Sequence, residues 1–280
     1  MVLKLIPTIV LDKIYLLSKN NVSFTLLHQN IMLSSFLGLT RLVLFFTIIS
    51  FLSLLFYLSS LFWSEEKTAR NALSFRDLII KIINSLLGIR LQIYGKPPIE
   101  QGLIVANHRS YFDPIVMLIH RHTFPVGKKE VASWPLIGYL CKISGVIFVD
   151  RKNSESRQQT CDAIKVVLDK GQSVINFPEG TTHILPTTID FNYGSFAMAT
   201  KLKSAVLPIA IDYKIKTDAF VDDDTFIPHF IKCFGKRTTE IKMTYLEPIY
   251  SQDADYLLKS AKNSIDDELL RFRKDWDVEK

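Results

Sequence analysis

The chain is predicted to fold as an α/β protein, with a mixed, mostly parallel sheet flanked by helices and an N-terminal helical region suited to anchoring in a membrane. Two textures predict it. Downstream of Gly88, short apolar runs separated by Gly, Pro and polar clusters alternate with longer stretches of mixed polarity, the rhythm of strand and helix in turn. Upstream, the 23 residues from Leu42 to Ser64 carry no charge and are dominated by Leu, Phe and Ile, long enough as a helix to cross a bilayer. With 280 residues, 48 % of them apolar, there is material for one full-sized core and an appendage. The boundary is expected near residue 75, giving a membrane-associated region over 1–75 and the α/β domain over 76–280.

The apolar helix over about 42–64 is bounded by Arg41 before it and Glu65-Glu66-Lys67 after it. A signal peptide would lie nearer the N-terminus, with a shorter apolar core and a small-residue cleavage site. Ile31 to Leu39 is also largely apolar, so a spanning helix and one half of a hairpin both fit. Residues 3–18 add a weakly amphipathic stretch with Lys4 and Lys13, and positive charge on both flanks leaves the orientation rule without a direction. Asp77 to Leu87 fits a helix resting on lipid and equally one packed on the domain. Strands are expected at Arg90–Tyr94, Leu103–Ala106, Val146–Val149, Ser173–Phe177, Ala205–Ile211 and Glu240–Leu246. Helices are expected at Pro114–Ile119, Trp134–Ile143, Ser156–Lys170, Gly194–Lys201 and Ala254–Arg273.

The formal charge of +6 favours an anionic partner: nucleic acid, an acidic membrane surface or a phosphorylated small molecule. The basic residues are scattered beside a bilayer-length apolar run, which argues against nucleic acid. Cys141, Cys161 and Cys233 are widely separated and odd in number, without a C-x-x-C pair. That pattern supports neither a disulfide scaffold nor a zinc site and fits small buried hydrophobes in a reducing compartment. No metal site is expected.

The most informative segment is Asn107-His108-Arg109-Ser110-Tyr111-Phe112-Asp113-Pro114, directly after the apolar run Leu103–Ala106. A strand there runs into a loop, and Asp113-Pro114 opens a helix with proline in its first turn. The loop can fold His108 against Asp113. A carboxylate accepting the proton-bearing ring nitrogen would fix the tautomer and leave the other nitrogen free to take a proton from a bound hydroxyl. Asp before Pro is also an ordinary helix N-cap, and a loop histidine an ordinary satisfied polar group; the motif alone leaves both open.

Three further segments end strands in the same way. Phe177-Pro178-Glu179-Gly180-Thr181-Thr182 follows Val174-Ile175, and Glu179 can anchor its turn by accepting backbone N–H groups or can bind substrate hydroxyls. Arg151 stands just past the strand Val146–Val149, where open α/β sheets bind ligands; its guanidinium suits a phosphate and equally a salt bridge to Asp150. Lys128 and Lys129 close another short apolar run and can line an anion site or form a solvated face.

Taken in order, His108-x-x-x-x-Asp113, the strand end Gly145 to Arg151, Phe177-Pro178-Glu179-Gly180-Thr181 and Val206-Leu207-Pro208-Ile209 closely resemble the glycerolipid acyltransferase family that contains the 1-acylglycerol-3-phosphate acyltransferases. The resemblance spans roughly residues 90 to 215, and Lys128-Lys129-Glu130 with Pro135 and Gly138 matches a further block of the family. It implies a membrane-bound enzyme, with its catalytic domain facing the cytoplasm, that moves an acyl group from acyl-CoA or acyl carrier protein to the sn-2 hydroxyl of lysophosphatidic acid. The thioester is then a co-substrate, and no cofactor is expected. His108 would be the general base, oriented by Asp113. Arg151 with Lys128 or Lys129 would hold the acceptor's phosphate, and Glu179, Gly180 and Thr181 would shape the acceptor pocket. Many family members with a phosphate-monoester acceptor place an arginine after Glu-Gly-Thr, where this chain has Thr182, and a lysine in the segment that reads Phe191-Asn192-Tyr193-Gly194 here. Another lysolipid, such as a lysophospholipid with a head group or a lyso-ornithine lipid, is therefore the alternative acceptor. A phospholipid transacylase or lipid hydrolase using the same dyad, and a lipid-binding protein without activity, are the readings outside that reaction.

Overall fold

In a computed structural model of the chain, residues 21–118, 123–134, 137–150, 154–221 and 224–278 are described. Residues 3–18, Pro135 and Arg151 lie outside them.

The N-terminal apolar segment is longer than its uncharged core. Helix α1 (Asn21–Ser60) runs without a break through Arg41, and a turn follows before α2 (Glu65–Leu86) begins. The expected helix at 42–64 thus starts about 20 residues earlier, taking in the Ile31–Leu39 run, and stops at Ser60; Ser64 instead N-caps α2, accepting the Lys67 N–H at 3.3 Å. Arg41 does not interrupt α1 because its guanidinium leaves the helix surface for a set of carbonyls. It donates to the backbone oxygens of Phe234 (2.8 Å), Lys236 (2.5 Å) and Arg237 (3.2 Å), at the carboxyl end of α7 (Phe226–Phe234), where orphan carbonyls and the helix dipole favour a cation. Helix α7 is absent from the expected elements, being short and carrying Pro228 in its first turn; it forms because Phe230, Cys233 and Phe234 are buried against α1. The two helices cross closely. A Cβ on Gly38 would lie 2.6 Å from the Ile231 carbonyl oxygen, and one on Gly235 would lie 2.5 Å from that of Ser34.

One side of α1, through Leu42, Phe45, Ile49, Ser53 and Phe56, is buried at steps of three and four, whereas Met32, Leu33, Phe36, Leu39, Val43, Phe51, Leu54, Leu55 and Leu58 face outward. Both sides are apolar, so only packing distinguishes them. Helix α2 continues through residues 75 and 76, and its Ala72, Arg76, Ile79, Ile80 and Ile83 are buried. The stretch Asp77–Leu87 is therefore committed to the domain.

Among the described residues, seven strands follow: β1 (Ile89–Tyr94), β2 (Gly102–Ala106), β3 (Thr123–Lys128), β4 (Ile147–Val149), β5 (Ser173–Asn176), β6 (Ala205–Tyr213) and β7 (Thr239–Tyr245). The sheet runs β1-β7-β6-β2-β5-β3-β4. Only the β6–β7 pair is antiparallel, so the sheet is mixed and mostly parallel, as the sequence indicates. Strand period two sorts the core. Ile104, Leu207, Ile209 and Ile211 meet α1, α2 and α7 on one face; Leu103, Val105, Val206 and Ala210 meet α6 (Gly194–Lys201) and α8 (Ala254–Val278) on the other. Between β3 and β4, a 3-10 turn (Lys129–Ser133) precedes α4 (Ile137–Ile143), in place of one helix from Trp134. The short α3 (Asp113–Met117) and α5 (Ser154–Asp169) complete the set. Because β2 to β6 run the same way, their carboxyl ends share one edge.

Candidate active site at the carboxyl edge of the sheet

Strand β2 stops at Ala106 because the next side chain takes over its ladder. The Asn107 amide donates to the Ile211 carbonyl at 2.8 Å and its oxygen accepts the Ile211 N–H at 2.9 Å, mimicking one more backbone unit of the β2–β6 pair. The chain then turns, and residues 108–110 wrap around one carboxylate. Asp113 Oδ2 accepts the N–H groups of Arg109 (2.6 Å) and Ser110 (2.8 Å) and lies 2.9 Å from His108 Nδ1, while Oδ1 accepts the Tyr213 hydroxyl at 2.8 Å. The Asp113 side chain has no exposure, and that of His108 is 17 % exposed. A carboxylate accepts and does not donate, so Nδ1 carries the proton and Nε2 is left as an acceptor. The imidazole also stacks on Phe177, centroids 4.3 Å apart. The five-residue spacing thus brings the two residues together. Asp113 is the first residue of α3, and Phe112 holds the N-cap position without a side-chain cap bond, so Asp113 begins the helix and partners the histidine but is not its N-cap.

Strand β5 lies beside β2, and its turn brings Glu179 under the histidine. Glu179 Oε2 accepts the His108 N–H at 2.6 Å; Oε1 accepts the Ile189 N–H at 3.3 Å and lies 2.8 Å from His183 Nε2. Its side chain is fully enclosed, with both oxygens engaged by protein donors. Gly180 takes φ +74°, a left-handed conformation that glycine adopts without a Cβ clash, and so reverses the chain right after the carboxylate. Gly180 is half-buried and Thr181 exposed.

His183 extends the network. Its Nδ1 lies 3.0 Å from Arg109 Nη1 and 3.2 Å from the Leu185 N–H, both donors, so Nε2 holds its proton and points it at Glu179. Arg109, 1 % exposed, also donates to the His183 carbonyl and lies 3.4 Å from Asp212 Oδ1, whose other oxygen is 2.6 Å from Arg273 on α8. Burial pushes the Asp212 carboxyl up, against the pull of Arg109 and Arg273. A buried charge is tolerated only with such partners. Sequence reasoning missed Arg109, His183, Asp212 and Tyr213 as site residues. The available signals were His183 four residues after Glu179 and the polar pair Asp212-Tyr213 closing an apolar strand.

Lys128 ends β3, exposed, and Lys129 opens the 3-10 turn with Nζ 3.8 Å from Asp150 Oδ2. Both belong to the same sheet edge, separated from β2 by β5. Among the described residues, no group of three or more His, Cys, Asp or Glu side chains is placed to hold a metal.

A family model described as Acyltransferase matches residues 90–212, from β1 to the penultimate residue of β6. The lyso-ornithine lipid O-acyltransferase of Pseudomonas aeruginosa is 32 % identical over 175 residues, covering 60 % of this chain and 67 % of that protein. The chain belongs to the acyltransferase family. The 1-acyl-sn-glycerol-3-phosphate acyltransferase alpha of Ovis aries is 31 % identical over 146 residues; this match covers 48 % of the acyltransferase described here and about half, 49 %, of its relative. The crystal structure of the 1-acyl-sn-glycerophosphate (LPA) acyltransferase of Thermotoga maritima has the same fold, with a TM-score of 0.71 at 18 % identity over 87 % of this acyltransferase and 98 % of that chain. That coverage takes in far more than the matched segment.

Proposed function

We propose that this acyltransferase transfers a fatty acyl group from a thioester, acyl-CoA or acyl carrier protein, to the sn-2 hydroxyl of lysophosphatidic acid, giving phosphatidic acid. The observation that carries the proposal is the His108–Asp113 pair, 2.9 Å apart at the edge of a parallel sheet, with its tautomer set by a fully buried carboxylate. His108 Nε2 takes the proton of the acceptor hydroxyl as its oxygen adds to the thioester carbonyl. The tetrahedral adduct then expels the thiolate, which receives the proton from Nε2. The acyl group passes directly between substrates, so neither a covalent acyl-enzyme nor a resident cofactor is required.

Asp113 orients the base, and Glu179, enclosed and holding the His108 amide, positions the backbone. Lys128, Lys129 and Arg151, at or just past the ends of β3 and β4, supply cationic groups for the acceptor's phosphate, while Gly180 and Thr181 shape the pocket. The outward face of α1 supports a membrane anchor. Its inward face is occupied by the domain from Gly38 to Phe56, a helical length of about 27 Å, nearly the whole hydrocarbon thickness. Such a helix lies along the membrane surface with its outward face in one leaflet, delivering the site to a lysolipid. A cytoplasmic site follows from where acyl donors are made.

A second reading, acylation of another lysolipid such as a lyso-ornithine lipid, is favoured by one observation. Thr182 and His183 follow Glu179-Gly180-Thr181, and the His183 ring is engaged by Glu179 and Arg109, so this turn offers no free cation. Parallel assays of purified protein with radiolabelled oleoyl donor and lysophosphatidic acid, lysophosphatidylethanolamine or lyso-ornithine lipid separate the two. Transfer to lysophosphatidic acid above the others supports the first, and preference for another acceptor supports the second. His108→Ala is expected to lower turnover by about 10²–10⁴-fold, the range of general-base catalysis, while leaving folding intact; substantial residual transfer would remove the base assignment.

A further inference from the structure

The residue that meets the unshared oxygen of Asp113 comes from 100 positions downstream. Tyr213 closes β6, is 1 % exposed, and donates its hydroxyl to Asp113 Oδ1 at 2.8 Å; the Ser110 side chain meets the same hydroxyl. Three donors already hold Oδ2, two of them backbone amides of the adjoining turn. Asp113 is thus located without the tyrosine, and what the hydroxyl adds is electrostatic. A donor hydrogen-bonded to a carboxylate in a dry site draws negative charge toward itself and away from the other oxygen. The other oxygen is the one that faces His108 Nδ1.

We propose that Tyr213 is a positioning residue for acyl transfer which tunes the base strength of His108 through Asp113. The proposal rests on His108 acting as general base. With the hydroxyl in place, Asp113 pulls less strongly on the Nδ1 proton, so the imidazolium form is less favoured and Nε2 stays free at lower pH. Without it, the carboxylate holds a protonated His108 more tightly. Among the described residues, the other ionisable groups around the pair and Tyr213 are Glu179 and His183 after β5, Arg109 after β2, Asp212 on β6, Lys216 just past β6, Cys233 on α7 and Arg273 on α8. A phenylalanine at 213 leaves all of them present.

The test measures kcat/KM against pH for the full-length protein in detergent micelles, with unfolding midpoints recorded alongside. The acidic limb reports protonation of the free enzyme's base. Tyr213→Phe is expected to move that limb upward by about half to one pH unit, with the plateau kcat and both KM values within about two- to three-fold of wild type. A limb superimposable on the wild-type curve overturns the proposal whether or not activity falls. Should Tyr213→Phe fail to fold, fluorotyrosine at position 213 keeps the shape and donates a more acidic hydroxyl; the limb is then expected to move to lower pH, and no movement overturns the proposal. Absent wild-type transfer, or an active His108→Ala, removes the base itself and the tuning with it. An inactive His108→Ala with unmoved limbs removes only the tuning.

Discussion

Substituting Glu179 by glutamine separates its two sequence-derived roles, because the structure makes the accommodation of an amide so unfavourable. Glu179 receives three donors: the His108 and Ile189 amides and His183 Nε2. Glutamine keeps one acceptor oxygen and turns its NH₂ toward the rest. With the oxygen on the His108 amide, the NH₂ faces the Ile189 N–H and His183 Nε2–H; with the oxygen reversed, it faces the His108 N–H. His183 cannot relieve the conflict by changing tautomer, since its Nδ1 is met by donors from Arg109 and Leu185. At least one charge-assisted hydrogen bond in an enclosed site is lost, about 1.5–3 kcal/mol, equivalent to a factor of about 10 to 200. If Glu179 acts only by holding His108, Glu179→Gln is expected to lower kcat by up to that factor, the full loss arising where the bond to the His108 amide is the one broken, with KM for the lysolipid unchanged within about two-fold. The measurement is steady-state acyl transfer over a range of acceptor concentrations, with far-UV circular dichroism confirming the fold. A KM increase of about tenfold or more at unchanged kcat would refute the reasoning and make Glu179 a substrate ligand.

Other outcomes follow from particular contacts. Gly38→Leu places side-chain carbon where a Cβ alone would meet the Ile231 carbonyl at 2.6 Å; α1 is expected to lift from α7 at a cost of about 1–3 kcal/mol, seen as a lower unfolding midpoint in detergent, and an unchanged midpoint would show that the helices do not cross there. Arg41→Leu removes the donor to three carbonyls at the end of α7 and is expected to lower the same midpoint and increase proteolysis between α1 and the domain. Burial pushes the Cys141 thiol up to about 11 and Cys233 to about 12 from an ordinary 9.0. The folded chain then keeps protons that the unfolded chain releases, so this stability is present below pH 9 and lost as pH climbs toward 11 and 12. Urea midpoints are expected to fall between pH 8 and 10, with a shallower fall in Cys233→Ala; identical slopes would contradict the burial. At neutral pH, the buried Cys233 is expected to react with maleimide only after unfolding, and the half-buried Cys141 to react slowly in the folded chain.

The architecture was legible where a signal repeats along the chain. Apolar runs, alternation of strand and helix and the uncharged stretch from Leu42 each rest on many residues, and the His108–Asp113 pair rests on one turn of five, so chain connectivity alone keeps its members close. Helix α1 was misjudged at its start because Arg41 reads as a boundary in a hydropathy profile, and only the carbonyls of Phe234 to Arg237, nearly 200 positions away, show how its charge is satisfied. The inward side of α1 was illegible for a related reason: a helix that is apolar all round carries no periodicity that says which side is covered, whereas α7 is sided but spans only nine residues with Pro228 in its first turn, too short a run to stand out in the sequence.

By itself, then, the sequence determined the fold class, the long apolar segment near the N-terminus and the identity of a histidine–aspartate pair, since all are matters of composition, local pattern or short loop closure. Tertiary structure alone decided what surrounds that pair. It set Glu179 beneath the His108 amide, linked Arg109 to His183 and Asp212, and delivered the Tyr213 hydroxyl to Asp113. Those contacts exist because parallel strands β2, β5 and β6 lie side by side with their carboxyl ends on one edge. Backbone hydrogen bonding between residues 70 to 100 positions apart produces that adjacency, and no local spacing in the chain encodes it.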